Sequence, residues 1–143
     1  MIKHSLLPVI ASSLLLKATV SEPNCFLAKY AVYVVNNLLP NSPPLQVHCL
    51  SKDDDLGYHN LTQNAEYRFA FCEKPLVTMF SCSFQWNGNA RGFHVYDAHW
   101  RNNRCVHNGV CYYAVKSDGF YFANDYPPKN LKFLCDWNPN SKC

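Results

Sequence analysis

Charge is what this sequence has least of: Asp, Glu, Lys and Arg make up only 16% of its 143 residues, against 48% hydrophobic and 15% aromatic. Disorder goes with low hydrophobicity and high net charge, so this composition excludes it and points to a compact, aromatic-rich globule. No apolar run reaches the ~20 residues that a bilayer-spanning helix needs. No Cys-x-x-Cys pair occurs, which argues against a zinc ribbon or a thioredoxin-like redox centre. No Ser-centred hydrolase elbow is present, and no segment beyond the first twenty-odd residues keeps a helical period.

What is present begins with a secretory signature. Lys3 and His4 make a short basic start, Leu6–Leu16 is mostly apolar, and Ala18, Thr19 and Ser21 supply small residues at a cleavage region. The expected division is therefore a signal peptide over 1–21 and one domain over 22–143. Removing Lys3 and Lys17 leaves 11 basic residues against 10 acidic, so the formal charge of +3 falls to +1. A nearly neutral domain lacks the electrostatic footprint of a nucleic-acid binder.

Eight cysteines lie beyond the signal: Cys25, Cys49, Cys72, Cys82, Cys105, Cys111, Cys135 and Cys143. An even count in a secreted chain predicts a disulfide framework, with no pairing specified by the residues themselves. Period-two alternation dominates between them. Val32 and Val34 share one strand face; so do Leu45, Val47 and Cys49; Tyr67, Phe69 and Phe71; and Phe80, Cys82, Phe84 and Trp86. Phe93 and Val95 start a fifth strand. Cys105–Cys111 reads as a hairpin around Asn108-Gly109, with the two cysteines opposed if the loop has three residues and out of register if it has two. Phe120 and Phe122 alternate with Tyr121, and Leu131, Phe133 and Cys135 share a face of a last short strand. The prediction is all-β: a small, disulfide-bonded antiparallel β-sandwich of about eight strands.

Four features bear on function. Asn60-Leu61-Thr62 is a glycosylation sequon and predicts a surface loop at Asn60. Asp53-Asp54-Asp55 reads either as a corner whose carboxylates accept backbone N–H groups or as a calcium site; consecutive aspartates diverge, which favours the corner. His94, Asp97 and His99 form a cluster of metal-ligand type, with His94 facing solvent, but no catalytic residue and no metal ligand is assigned. Arg91, Trp100, Arg101 and Arg104 make a basic, aromatic stretch read as a partner-contact loop, or equally as a solvated loop with Trp100 tucked onto the core.

In their order along the chain these residues resemble the plant self-incompatibility proteins, or S-protein homologues. The likeness is carried by Val34-Val35-Asn36-Asn37-Leu38, by Val47-His48-Cys49 through Ser51-Lys52-Asp53-Asp54-Asp55-Leu56-Gly57, and by Tyr67–Phe71. It continues in Phe80-Ser81-Cys82-Ser83-Phe84-Gln85-Trp86, Phe93–Tyr96, Cys105, Cys111 and Asp118-Gly119-Phe120-Tyr121. Cys49, Cys82, Cys105 and Cys111 match the family's core cysteines; the other four are additional, and Tyr113 stands where members usually have tryptophan. The resemblance implies a secreted, non-enzymatic extracellular ligand for a plant cell-surface receptor, in the founding members one that acts in pollen–pistil recognition. It implies no cofactor, no nucleic acid and no stable membrane insertion; a monomer is expected. The alternatives are a secreted defence or toxin-like protein and a carbohydrate-binding module.

Overall fold

A computed structural model describes residues 22–100, 104–105 and 108–143; the predicted signal segment 1–21 and Arg101 lie outside the described residues. Among the described residues nine strands follow one another: β1 (Lys29–Asn36), β2 (Leu45–Leu50), β3 (Asp55–Leu61), β4 (Glu66–Cys72), β5 (Met79–Trp86), β6 (Asn89–Asp97), β7 (Val110–Lys116), β8 (Gly119–Ala123) and β9 (Lys132–Cys135). They form two sheets, one ordered β4-β1-β7-β8-β9 and the other β3-β2-β5-β6. The all-β sandwich expected from alternation is the fold observed. It departs from a purely antiparallel arrangement at one place, where β1 and β7 run parallel.

The alternating residues fill the space between the sheets. Val32, Val34, Leu45, Val47, Cys49, Phe84, Val95, Tyr113, Val115 and Phe120 are all fully buried, and burying side chains of this size stabilises by roughly 1.5–3 kcal/mol apiece. Phe84 sits at its centre, its ring 5.1 Å from that of Phe93 and 5.0 Å from that of Phe120. Tyr113 donates its hydroxyl to the Val95 carbonyl at 2.6 Å, so the one polar atom this position brings inside is satisfied. A second, smaller cluster of Val35, Tyr112, Ala114 and Ala123 lies on the outward face of the five-stranded sheet. There Tyr126, from the segment after β8, stacks on Tyr33 at 4.3 Å.

All eight predicted cysteines pair, as Cys25–Cys72, Cys49–Cys82, Cys105–Cys111 and Cys135–Cys143. Cys49 and Cys82 are direct partners across β2 and β5. The two bridges spanning 47 and 33 residues remove the most freedom from the unfolded chain, about 4 kcal/mol each in a chain-entropy treatment.

Three expectations need correction. The Cys105–Cys111 stretch is not a β-hairpin: Cys105 lies in a turn, its carbonyl accepting the Gly109 N–H at 3.0 Å, and the strand begins only at Val110. Two-residue hairpin chemistry sits instead at Asn87-Gly88, where φ of +48° and +81° joins Trp86 to its ladder partner Asn89. Asn60, expected in a surface loop, lies on strand β3, though still exposed. Leu131, Phe133 and Cys135 do not share a face. A ladder irregularity pairs Cys135 with inward Phe120 but Phe133 with outward Tyr121, leaving Phe133 exposed.

Candidate interaction surface

The predicted partner-contact residues are mostly engaged with the protein itself. Arg91 is on β6, two places before Phe93 and in phase with it, so its side chain points inward and is only 6% exposed. Its guanidinium donates to the Asn138 and Ser141 carbonyls and to Ser141 Oγ, the last at 3.1 Å. A buried arginine is tolerable only when hydrogen-bonded in this way, and here it fastens the tail beyond β9. Arg91 is therefore not a free contact residue. Arg104 donates to the Cys143 main-chain oxygen at 2.8 Å and lies 4.6 Å over the Trp100 ring. Trp100 in turn packs against the core edge-on to Tyr96.

The histidine cluster is a turn device. Asp97 Oδ1 accepts the His99 main-chain N–H at 2.8 Å and lies 3.1 Å from His99 Nδ1, while His94 Nδ1 is 3.7 Å from Oδ2. Partial burial alone would raise the Asp97 carboxyl, but these bonds outweigh it and bring it below the usual carboxylate value. Among the described residues no group of three or more His, Cys, Asp or Glu side chains is arranged to hold a metal ion.

The aspartate run turns the chain from β2 into β3. Ser51 N–H donates to the Asp54 carbonyl at 2.8 Å, Asp54 N–H to Ser51 Oγ at 3.1 Å, and Gly57 N–H to Asp55 Oδ1 at 2.9 Å. The Gly57 bond first, then His48 at 2.7 Å, lowers the Asp55 carboxyl. Gly57 takes φ of +81°, the left-handed region open to glycine.

This corner faces the β4–β5 loop across a groove of about 310 Å³ lined by Ser51–Asp54, Phe71, Cys72, Lys74 and Val77–Phe80. The loop is apolar at its tip: Leu76 is 70% and Val77 66% exposed. Leu76 holds φ of +63°, an unusual conformation for a residue with a Cβ and one that stores strain. The Cys25–Cys72 bridge and the Glu73 N–H bond to the Ala28 carbonyl bring fully exposed Phe26, and Leu27, to the same end. Leu50, last in β2, and Met79, first in β5, complete the set. Six of the ten large hydrophobic side chains exposed among the described residues thus gather at one end of the sandwich. Scattered exposed leucines are ordinary, whereas several large apolar side chains collected at one end form the kind of surface proteins use for interaction. Sequence reasoning missed it; the only trace was the run Leu76-Val77 after the Pro75 turn.

The family model described as plant self-incompatibility protein S1 matches residues 31–137. Among curated proteins, S-protein homolog 5 of Arabidopsis thaliana is 40% identical over 91 residues, covering 62% of this chain and 66% of that relative. S-protein homolog 4 of the same plant is 33% identical, covering 78% and 75%, and S-protein homolog 3 is 38% identical, covering 74% and 71%. No solved structure matches the chain.

Proposed function

Because the chain belongs to the plant self-incompatibility protein S1 family, we propose that it is a secreted, non-catalytic signalling ligand for a plant cell-surface receptor. The finer reading is a role in recognition between pollen and pistil. The observation that carries the receptor assignment is the apolar end built from Phe26, Leu27, Leu50, Leu76, Val77 and Met79. The Cys25–Cys72 bridge and the strand ends tether the backbone that carries these side chains, and covering them removes apolar surface from water. Arg91 and Arg104 support this surface only indirectly, by fixing the rest of the scaffold.

The test is saturable binding of labelled, secreted protein to plant cells, compared for the native chain, Val77→Asp and Leu76→Gly. Leu76→Gly removes the side chain and also relieves the left-handed strain, so it is expected to melt no lower than the native protein. Both variants should lose binding by 10-fold or more, about 1.4 kcal/mol or above. Undiminished binding by folded Val77→Asp and Leu76→Gly would place the contact elsewhere. Leakage of receptor-free lipid vesicles at the same concentrations would instead favour a membrane-acting defence protein. Expression confined to reproductive tissue supports the pollen–pistil reading, and broad expression counts against it.

A further inference from the structure

The end of the sandwich opposite the apolar cluster carries a different surface. A shallow depression of about 560 Å³ lies on the outward face of the β3-β2-β5-β6 sheet, bordered by Gln46, Asn60, Gln85, Trp86, Asn87 and Asn89. No charged side chain lines it, and five of these residues are carboxamides, each offering one acceptor and two donors. Asn60, Gln46, Gln85 and Ala90 are successive ladder partners, so one row of side chains crosses all four strands. Trp86, in phase with Phe84, turns its ring to the inner side of the sheet and packs on Trp137 at 5.7 Å, so it closes the end of the depression from beneath.

Such a surface, rich in amides and without charge, suits a neutral sugar, whose hydroxyl and N-acetyl groups both give and accept hydrogen bonds. One sugar has a covalent reason to be there. Asn60 heads the sequon Asn60-Leu61-Thr62, and both Asn60 and Thr62 are exposed. The strand beneath is firmly held, with Leu61 buried and its carbonyl accepting Asn36 Nδ2 at 2.8 Å. Strands β2 and β5 lie roughly 5 and 10 Å from β3, so the first sugars leaving Asn60 can cross them.

We infer that this depression is the seat of the chain's own N-linked glycan, with the first N-acetylglucosamine residues lying over Gln46 and Gln85. In the attachment step Asn60 Nδ2 forms a bond to C1 of the sugar of a lipid-diphosphate-linked oligosaccharide. The C1–O bond to the diphosphate breaks, the diphosphate leaves with the electron pair, and the amide loses one proton. The glycan then shields the Asn87-Gly88 turn and the β2 edge of the depression, while the apolar end stays uncovered. This assignment does not depend on the receptor reading.

The full chain secreted from plant cells is compared with Asn60→Gln, each with and without the outward-facing pair Gln46→Ala and Gln85→Ala. Intact-mass measurement and peptide mapping should find Asn60 occupied. The glycosylated chain should melt about 3 °C above Asn60→Gln, a difference that vanishes in the double-alanine background. Enzymatic trimming of the folded native protein to a single N-acetylglucosamine should leave nuclear Overhauser contacts between the sugar and the Gln46 and Gln85 side chains. An unmodified Asn60 would overturn the inference, as would an occupied Asn60 with equal melting temperatures and no sugar contact to Gln46 or Gln85.

Discussion

Arg91→Ala removes the guanidinium that ties the C-terminal tail to β6, and the loss can be bounded from the contacts. Three hydrogen bonds run from Arg91 to Asn138 and Ser141, and a bond to a charged group contributes roughly 1.5–3 kcal/mol net. Their sum overstates the effect. Nε of Arg91 has no partner among the described residues, which subtracts from the gain, and the tail carbonyls regain water once released. The Cys135–Cys143 bridge also keeps the freed segment tethered. A net destabilisation of about 2–4 kcal/mol results, equivalent to a fall of roughly 6–15 °C in Tm for a chain of this size. Thermal unfolding followed by circular dichroism under non-reducing conditions measures it. Hydrogen exchange at the Ser141 amide, which donates to Asn138 O, should speed up in parallel. Arg91→Lys, which keeps the charge but not the fork, should recover less than half the loss. A Tm within about 3 °C of native, with unchanged Ser141 exchange and lost cell-surface binding, would refute the clamp and return Arg91 to the contact surface.

Two further outcomes follow from the same structure. Phe84→Ala deletes a fully buried ring between Phe93 and Phe120 and should cost about 3–5 kcal/mol in urea unfolding; a loss under ~1.5 kcal/mol would mean the two sheets do not close on it. The Asp55 carboxyl is lowered from 3.8 by the Gly57 N–H and His48, so its contribution is present above pH 3.8 and is lost as pH falls through the lower folded value. Exchange protection of the Gly57 amide should therefore fall on acidification in the native chain, whereas Asp55→Asn should show no such step; identical profiles would remove the corner role.

Much of the fold was legible because a strand with one buried face writes its orientation into every second residue. Val32 and Val34, Leu45, Val47 and Cys49, and Phe80, Cys82 and Phe84 all lie inward as alternation requires. The same rule contained the answer for Arg91, which keeps phase with Phe93 and Val95; reading its charge as a sign of exposure overrode the period. Alternation failed at Phe133 and Cys135, where an extra residue in the ladder reverses the face, and a bulge has no reliable one-residue signature. At Asn108-Gly109 a favourable turn dipeptide lacked two strands to join, whereas Asn87-Gly88 had them.

The sequence by itself determined the family, the all-β class, most of the core-facing residues, the full pairing of eight cysteines in number and the turn chemistry of Ser51–Gly57. These are local or order-based properties, carried by periods, turn residues and motif spacing. Tertiary structure alone decided which cysteines meet, that β1 and β7 run parallel, and that Arg91 and Arg104 fasten the tail. It alone gathered Phe26, Leu27, Leu50, Leu76, Val77 and Met79 at one end and set Asn60 beside Gln46, Gln85 and Trp86 at the other. Each of these depends on which strands become neighbours. That choice comes from closing two sheets over one core, a property of the whole chain that no short stretch of residues contains.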